Sequence, residues 1–345
     1  MTIYLTNPLS DQRWDTLVSS HAVASAFHQR GWLEALSRTY GYQPLVLTSA
    51  APGEPMRNGI VLCRVSSWIT GTRVVSLPFA DHCELLLDDS QSLPEFLGRL
   101  RSERDCQHWK YVELRPRSGI RNMSGEEPPS RSYFFHELDL TPSLEQIFCN
   151  FHKDSIQRRI RHAERERLSY AIGRSLDLVD EFYRLLLVTR KRHGLLPQPY
   201  AWFKNLAECM KDNLQIRLAK KDGASFAAVL TLRHRNSLIY KYGCSDEKRH
   251  NLAGMPFLFW RLIQESKASG IDKIDFGRSD LDQESLVRFK DRFGTNKSLL
   301  NYYRYPTTMR APARDWGVRR IRQFFSILPE SVSATAGRLV YRHIG

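Results

Sequence analysis

Asp275-Phe-Gly-Arg-Ser-Asp280 is followed, ten residues after its phenylalanine, by Leu286-Val-Arg-Phe-Lys-Asp-Arg-Phe-Gly294. The first piece reads as a strand that ends at a glycine. Ile271, Ile274 and Phe276 are apolar, Gly277 permits a sharp exit, and the last residues are expected to turn out to solvent. The second reads as a short amphipathic helix with Leu286, Phe289 and Phe293 on one face and Gly294 as its stop. Together they are expected to carry Arg278 and Lys290 to the rim of a sheet, where an acyl- or phosphate-bearing substrate can be gripped.

Outward from this stretch, the second half of the chain reads as Leu214–Ala219, a Lys221-Asp-Gly turn, Ser225–Leu232 and Ser237–Tyr242 as strands. A helix over Met255–Ala268 and a closing strand over Lys273–Phe276 follow. The first half shows the same order. A helix over 25–40 carries Trp32, Leu33 and Leu36 inward, then strands follow at 43–48, 59–65 and 73–76, a helix at 93–104 and a strand at 109–114. Residues 116–132, rich in Gly, Pro and Ser, read as a surface loop. Two passes of β-turn-β-β-loop-α-β with little shared sequence suggest a pseudo-duplicated α/β architecture of mixed sheets flanked by helices. Between the passes lie a polar helix at 152–168 and an apolar-striped one at 177–192.

A chain of 345 residues, 42% hydrophobic and 26% charged, is long enough for two cores. Its net charge of +14 calls for an anionic partner: tRNA, a nucleotide-sugar or lipid pyrophosphate, an acidic polymer or a phospholipid surface. A basic soluble protein with no such partner fits the same charge. The six cysteines lie far apart with no C-x-x-C, which disfavours zinc and a disulfide framework and fits a reducing cytoplasm. The N-terminal residues show no basic segment followed by an apolar one, and no apolar run approaches the ~18 residues that span a bilayer. A cytoplasmic protein is expected.

Several clusters carry chemistry. The segment from His152 to Leu168 holds six Lys/Arg against three acids, with Ile156, Ile160 and Ala163 as a narrow apolar stripe. Lys153, Arg158, Arg159 and Arg161 are therefore candidate phosphate contacts, although i,i+4 pairing in water explains the same pattern. Asp81 and His82 in Ser76-Leu-Pro-Phe-Ala-Asp-His-Cys-Glu84 are candidate substrate-binding or proton-handling groups. Adjacent residues of an extended chain point to opposite faces, so this run is a poor metal site. Tyr242 is a further candidate substrate contact, and Cys244 beside it lacks an evident base and reads as structural. Asp280-Leu-Asp-Gln-Glu-Ser285 lacks the sixth-position glycine of a calcium loop. G-x-S-x-G, H-E-x-x-H, Walker and G-x-G-x-x-G motifs are missing, and no metal is expected.

The pairing of Asp275-Phe-Gly-Arg-Ser279 with Phe289-Lys-Asp-Arg-Phe-Gly294 resembles the closing motif of FemAB-like transferases, a branch of the GNAT acyltransferase superfamily. The resemblance runs from about residue 25 to 305. It takes in Phe27-His-Gln-Arg-Gly-Trp32, Tyr40-Gly-Tyr42, Ser76-Leu-Pro-Phe79 with Asp81, and His152–Leu168. The chain is most similar to the CelD-like subgroup that accompanies exopolysaccharide and envelope export loci. This resemblance implies two tandem GNAT-like domains that share one cleft, residues 1–140 and 141–309, the second carrying the transfer site. Phe289 and Lys290 take the place of the family's F-K pair and, with Arg278, are its implied catalytic residues. Arg249-His-Asn-Leu-Ala-Gly254 stands where a GNAT protein cradles the pyrophosphate of coenzyme A, with Arg249 and Gly254 matching Q/R-x-x-G-x-G/A. Leu252 replaces the middle glycine, and its side chain is expected to occupy space that a phosphate would approach.

The expected function is acyl or aminoacyl transfer onto a cell-envelope or exopolysaccharide precursor, lipid- or nucleotide-linked, from aminoacyl-tRNA or acyl-CoA. Direct transfer needs positioning and donors for an oxyanion and no covalent nucleophile. Two rivals remain open: acyl-CoA-dependent N- or O-acetylation of a sugar, and a non-catalytic RNA- or polyanion-binding protein on the same fold. Residues 310–345 form a separate tail. Trp316, Ile321, Phe324, Phe325 and Leu328, edged by Arg319, Arg320 and Arg322, read as an amphipathic helix that rests on the inner membrane face or packs on the second domain.

Overall fold

A computed structural model describes residues 2–120, 128–307 and 330–344 of the chain. It divides into two compact units. The first takes Met1–Tyr133 together with described residues 299–307 and 339–344, and the second takes Phe134–Ser298 and described residues 330–338.

In the first unit β1 (Tyr4–Thr6) precedes α1 (Arg13–Ser20) and α2 (Arg30–Tyr40), and β2 (Gln43–Thr48), β3 (Ile60–Val65) and β4 (Arg73–Val75) follow. α3 (Leu93–Cys106) then crosses to β5 (Val112–Leu114). β1, β2, β3 and β4 pair antiparallel in turn, and β4 pairs parallel with β5, Val74 opposite Val112. Leu93, Phe96, Leu97 and Leu100 of α3 pack on Leu45, Leu47, Ile60, Leu62, Val74 and Val112. Trp14, Leu17, Trp32, Leu33 and Leu36 of α1 and α2 are also buried.

The second unit opens with β6 (Arg131–Asp139), α4 (Leu144–Asn150), a π-helical turn at Lys153–Gln157 and α5 (Arg158–Arg165). β7 (Ser169–Gly173), α6 (Leu176–Arg192), α7 (Tyr200–Met210), β8 (Leu214–Lys221), β9 (Ala224–His234) and β10 (Ser237–Ser245) come next. α8 (Gly254–Ala268), β11 (Lys273–Asp280) and α9 (Glu284–Asp291) complete it. Its strands run in the order β6-β11-β10-β9-β8-β7. β7 to β10 pair antiparallel, and β10 pairs parallel with β11. The expected repeat is therefore present. Each unit makes three antiparallel steps and then one parallel step across a helix, α3 in one and α8 in the other, as a parallel crossover requires. β12 (Asn296–Tyr305) follows α9, and its residues 303–305 pair antiparallel with β5. α10 (Glu330–Ile344) ends the described chain.

Several elements escape a reading of local pattern: β6, which begins inside the expected loop, β7, α7 and β12. The expected amphipathic helix over Trp316–Leu328 lies outside the described residues. The stripe of the basic segment is as expected, with Ile156, Ile160 and Ala163 buried.

One local expectation is corrected. β11 does not end at Gly277: it continues to Asp280, and Ser279 is buried rather than turned to solvent. Gly277 takes a φ of +71°, and its N–H donates to the Asp275 carboxylate at 2.6 Å, so the kink is absorbed within the strand.

Candidate active site

In the second unit the parallel pairing of β10 with β11 covers Ser237–Ile239 against Lys273–Asp275 and then stops. β10 continues beside β9 to Ser245, with a register shift between Tyr240 and Tyr242, while β11 runs on to Asp280. The two strands thus part company towards their C-terminal ends. The closest packing there is at Gly243, where an added Cβ would lie 2.0 Å from the Tyr240 hydroxyl. Burial pushes the Tyr240 phenol up, so it stays neutral.

The corresponding place in the first unit is closed. Ser76 N–H donates to the Glu113 carbonyl at 2.7 Å, and the Arg115 guanidinium donates to the carbonyls of Leu77 and Ala80. Arg115 also pairs with Glu113 at 2.8 Å and lies over the Tyr302 ring.

At the N-terminus of α8, beside the C-terminal end of β10, lies a pocket of about 240 Å³. Its basic groups are Arg159, Arg249, His250 and Arg292, and Ser155, Ser245, Gly254 and Phe289 also line it. The helix begins at Gly254 because nothing larger fits: an added Cβ would lie 2.5 Å from Phe226 and 2.8 Å from Ala227. Ala253 before it is held in the left-handed region at φ +56°. An α-helix N-terminus presents backbone N–H groups that lack intrahelical partners, and three guanidinium groups at its mouth add positive charge. These residues fit a phosphate or pyrophosphate group. Arg159 also donates to the His250 carbonyl, and Arg249 to the Lys221 carbonyl at 3.3 Å. The His250 ring lies 3.0 Å from Ser245 Oγ, and burial together with Arg192 and Arg159 lowers its pKa.

Of the residues expected at a site, Arg249, Gly254, Phe289 and Arg159 converge on this pocket. Lys290 does not line it. Lys290 is 2% exposed, and its Nζ donates to the carbonyls of Gly277 at 3.0 Å and Arg278 at 2.8 Å. The expectation that it stands at a solvent-facing rim is corrected, because those carbonyls draw it under the strand. Arg278 is half-buried on the parted portion of β11. Lys153 and Arg158 point to solvent, Arg158 pairing loosely with Asp154 at 3.8 Å. Tyr242 is buried on the α6–α7 side, its hydroxyl accepting from Trp202 Nε1 at 3.1 Å and its ring against Phe182 and Phe203. Asp81 and His82 belong to the first unit, where the Asp81 carbonyl accepts from the Tyr302 hydroxyl and His82 packs edge-on against Phe27. Leu252 does not line the pocket either; half-buried, it packs against the apolar core of the second unit. The obstacle it was expected to pose to a phosphate is thereby removed.

Sequence reading missed His250, Arg292 and Ser245. His250 and Arg292 lie inside quoted motifs, but only the fold aims them at one place. It also missed His136, buried on β6 with Nε2 3.2 Å from the Asp291 carboxylate. Burial and the Lys290 ammonium lower the His136 pKa to about 4. Cys244 is buried with its thiol pKa pushed up, so it is no nucleophile. All six cysteines are free. Among the described residues, no group of three His, Cys, Asp or Glu is placed to hold a metal ion, and no helix is long and apolar enough to cross a membrane.

Two units of this topology, with parted parallel strands and a basic helix N-terminus in the second, define a tandem GNAT-like fold. Residues 150–291 match the family described as acetyltransferase (GNAT) domain. Among solved structures the chain is similar to FemX, with a TM-score of 0.69 at 13% identity over 88% of this chain and 97% of that one. It is also similar to the C-terminal domain of a protein from Agrobacterium fabrum described as a lysylphosphatidylglycerol synthetase, with a TM-score of 0.59, 12% identity, and 84% and 90% of the two chains covered. A tandem GNAT protein from the clavulanic acid biosynthesis pathway gives a TM-score of 0.53 at 10% identity, covering 90% of this chain and all of that one. At such identities the likeness is one of fold. No curated protein matches the chain by sequence.

Proposed function

We propose that this protein transfers an acyl or aminoacyl group from a phosphate-bearing donor, acyl-CoA or aminoacyl-tRNA, to an amine or hydroxyl of a cell-envelope or exopolysaccharide precursor. The observation that carries this reading is the basic pocket at Gly254, lined by Ser245 at the end of β10, a strand whose pairing with β11 stops at Ile239. The pocket holds the donor's phosphate through Arg159, Arg249, Arg292 and the α8 N-terminus. The acyl carbonyl then lies along β10 past Ile239, where its pairing with β11 has stopped. The oxyanion that develops as the acceptor attacks is stabilised at that strand end. The donor's thiol or hydroxyl leaves, so no covalent enzyme intermediate is required.

Lys290 acts at one remove. By holding the carbonyls of Gly277 and Arg278 it fixes the parted course of β11, and so the width of the cleft. The closed arrangement around Arg115 supports a single transfer site, in the second unit. Similarity of fold to a protein described as a lysylphosphatidylglycerol synthetase supports an envelope lipid or lipid-linked precursor as the class of acceptor.

The test is melting and turnover with acetyl-CoA, an aminoacyl-tRNA, and UDP- and lipid-linked sugar acceptors. One donor should raise the melting temperature, and Arg249→Glu should abolish that rise while leaving the unliganded protein folded. If neither donor stabilises the protein and no acceptor gains an acyl group, the reading fails in favour of a non-catalytic polyanion binder.

A further inference from the structure

The β3–β4 loop, Ser66-Ser-Trp-Ile-Thr-Gly-Thr72, presents two adjacent large apolar side chains to solvent. Trp68 is 88% exposed and Ile69 is 59% exposed. Neighbouring exposure of this size at a loop tip is costly in water and is unneeded for the core.

The tip is also held rigid. Ser67 Oγ accepts from the N–H groups of Ile69 at 3.1 Å and Thr70 at 3.0 Å, and Gly71 N–H donates to the Ser67 carbonyl at 2.8 Å. Beneath it, the Arg73 guanidinium donates to Thr70 Oγ1 at 2.7 Å and to the His343 carbonyl at 2.8 Å. The His343 ring lies 2.9 Å from Ser67 Oγ and stands edge-on to Trp68. A preformed projection loses little freedom when it is buried by a partner.

Its surroundings are basic. The loop contains no carboxylate, the Lys110 ammonium lies 3.4 Å from the Thr70 carbonyl, and Arg342 beside His343 is exposed. An indole and an aliphatic tip flanked by cations complement a surface that is apolar within and anionic at its face.

We propose that the Trp68–Ile69 tip, flanked by Lys110 and Arg342, docks the first unit reversibly on an anionic lipid surface. This contact is separate from the tail over 316–328. It would hold the chain where lipid-linked acceptors lie, yet it stands apart from the transfer reading because its measurement requires no turnover.

The test is flotation of the full chain with vesicles containing phosphatidylglycerol and with vesicles of phosphatidylcholine alone. Wild type should float with the anionic vesicles only. Trp68→Ser with Ile69→Ser should cut the bound fraction about tenfold at an unchanged melting temperature, since neither side chain is in the core, and Lys110→Glu with Arg342→Glu should do likewise. Failure of the wild type to float, equal flotation on neutral vesicles, or unchanged flotation of the Trp68/Ile69 variant would each overturn the proposal. Light scattering on the same samples covers the remaining occupant: a wild-type dimer that the Trp68/Ile69 variant dissolves would make the tip a protein interface instead.

Discussion

Lys290 Nζ donates to the Gly277 carbonyl at 3.0 Å, thirteen residues back along the chain, and so ties α9 to the kink in β11. A buried ammonium is stable only if its N–H groups are met, and here backbone carbonyls on two consecutive residues accept from it. Lys290→Ala should therefore lower stability by about 1–3 kcal/mol, by leaving buried carbonyls unmet. It should lower kcat about a hundredfold, as loss of oxyanion positioning does, with a smaller change in KM. Denaturant melts alongside steady-state kinetics check this. A folded Lys290→Met variant with wild-type kcat would return Lys290 to a purely structural role.

Arg158 and Arg159 are adjacent but differ in task. Arg159 lines the pocket and reaches the His250 carbonyl, whereas the Arg158 side chain is 76% exposed and pairs with Asp154 at 3.8 Å. Arg159→Glu should weaken donor binding about tenfold and reduce its salt slope by about one. Arg158→Glu should leave both nearly unchanged. Titration calorimetry at two salt concentrations separates them, and equal losses from both variants would point to a diffuse field rather than a pocket contact.

Gly254→Ala places a methyl group 2.5 Å from Phe226 and 2.8 Å from Ala227, a contact neither can relieve without moving α8 off β9. A cost of about 1–3 kcal/mol is expected, with lost donor affinity even where the variant folds. Gly223→Ala is a useful control for side-chain space, since nothing lies within 4 Å of it; at φ +78° it tests backbone strain alone.

His136 gives the pH dependence. Its folded pKa of about 4 lies below the ordinary value of 6.5, because burial and the Lys290 ammonium disfavour the imidazolium despite Asp291. The unfolded chain therefore binds the extra proton first. The stability contributed by neutral His136 is complete above pH 6.5 and is lost as pH falls from there to about 4. His21 and His250 are shifted in the same direction, mainly by burial. Chemical denaturation from pH 7.5 to 4.5 should show stability declining by up to about 1.4 kcal/mol per pH unit for each such group. His136→Gln should make the decline shallower, and an unchanged slope would show that His136 titrates normally.

The doubled strand-helix order of this chain was legible in its sequence because it is written in short-range pattern. The apolar residues of β2, β3, β8 and β9, the Phe289/Phe293 spacing, the stop at Gly294 and the stripe Ile156, Ile160, Ala163 all report on neighbours a few residues away. Arg249 and Gly254 were legible for the same reason, being one contiguous motif. What only the tertiary structure decided depends on partners distant in sequence. β6 and β12 are strands through pairing with remote segments, and their own residues carry a weak signal. Lys290 is charged and would by default face water; it is buried because the kink at Gly277, thirteen residues earlier, offers two carbonyls to its ammonium. Arg159, Arg249 and Arg292 come from three separate segments, and only the packing of those segments around the start of α8 brings them to one pocket. Leu252, suspect by its place in the motif, is half-buried and packs against the edge of the apolar core instead of lining the pocket.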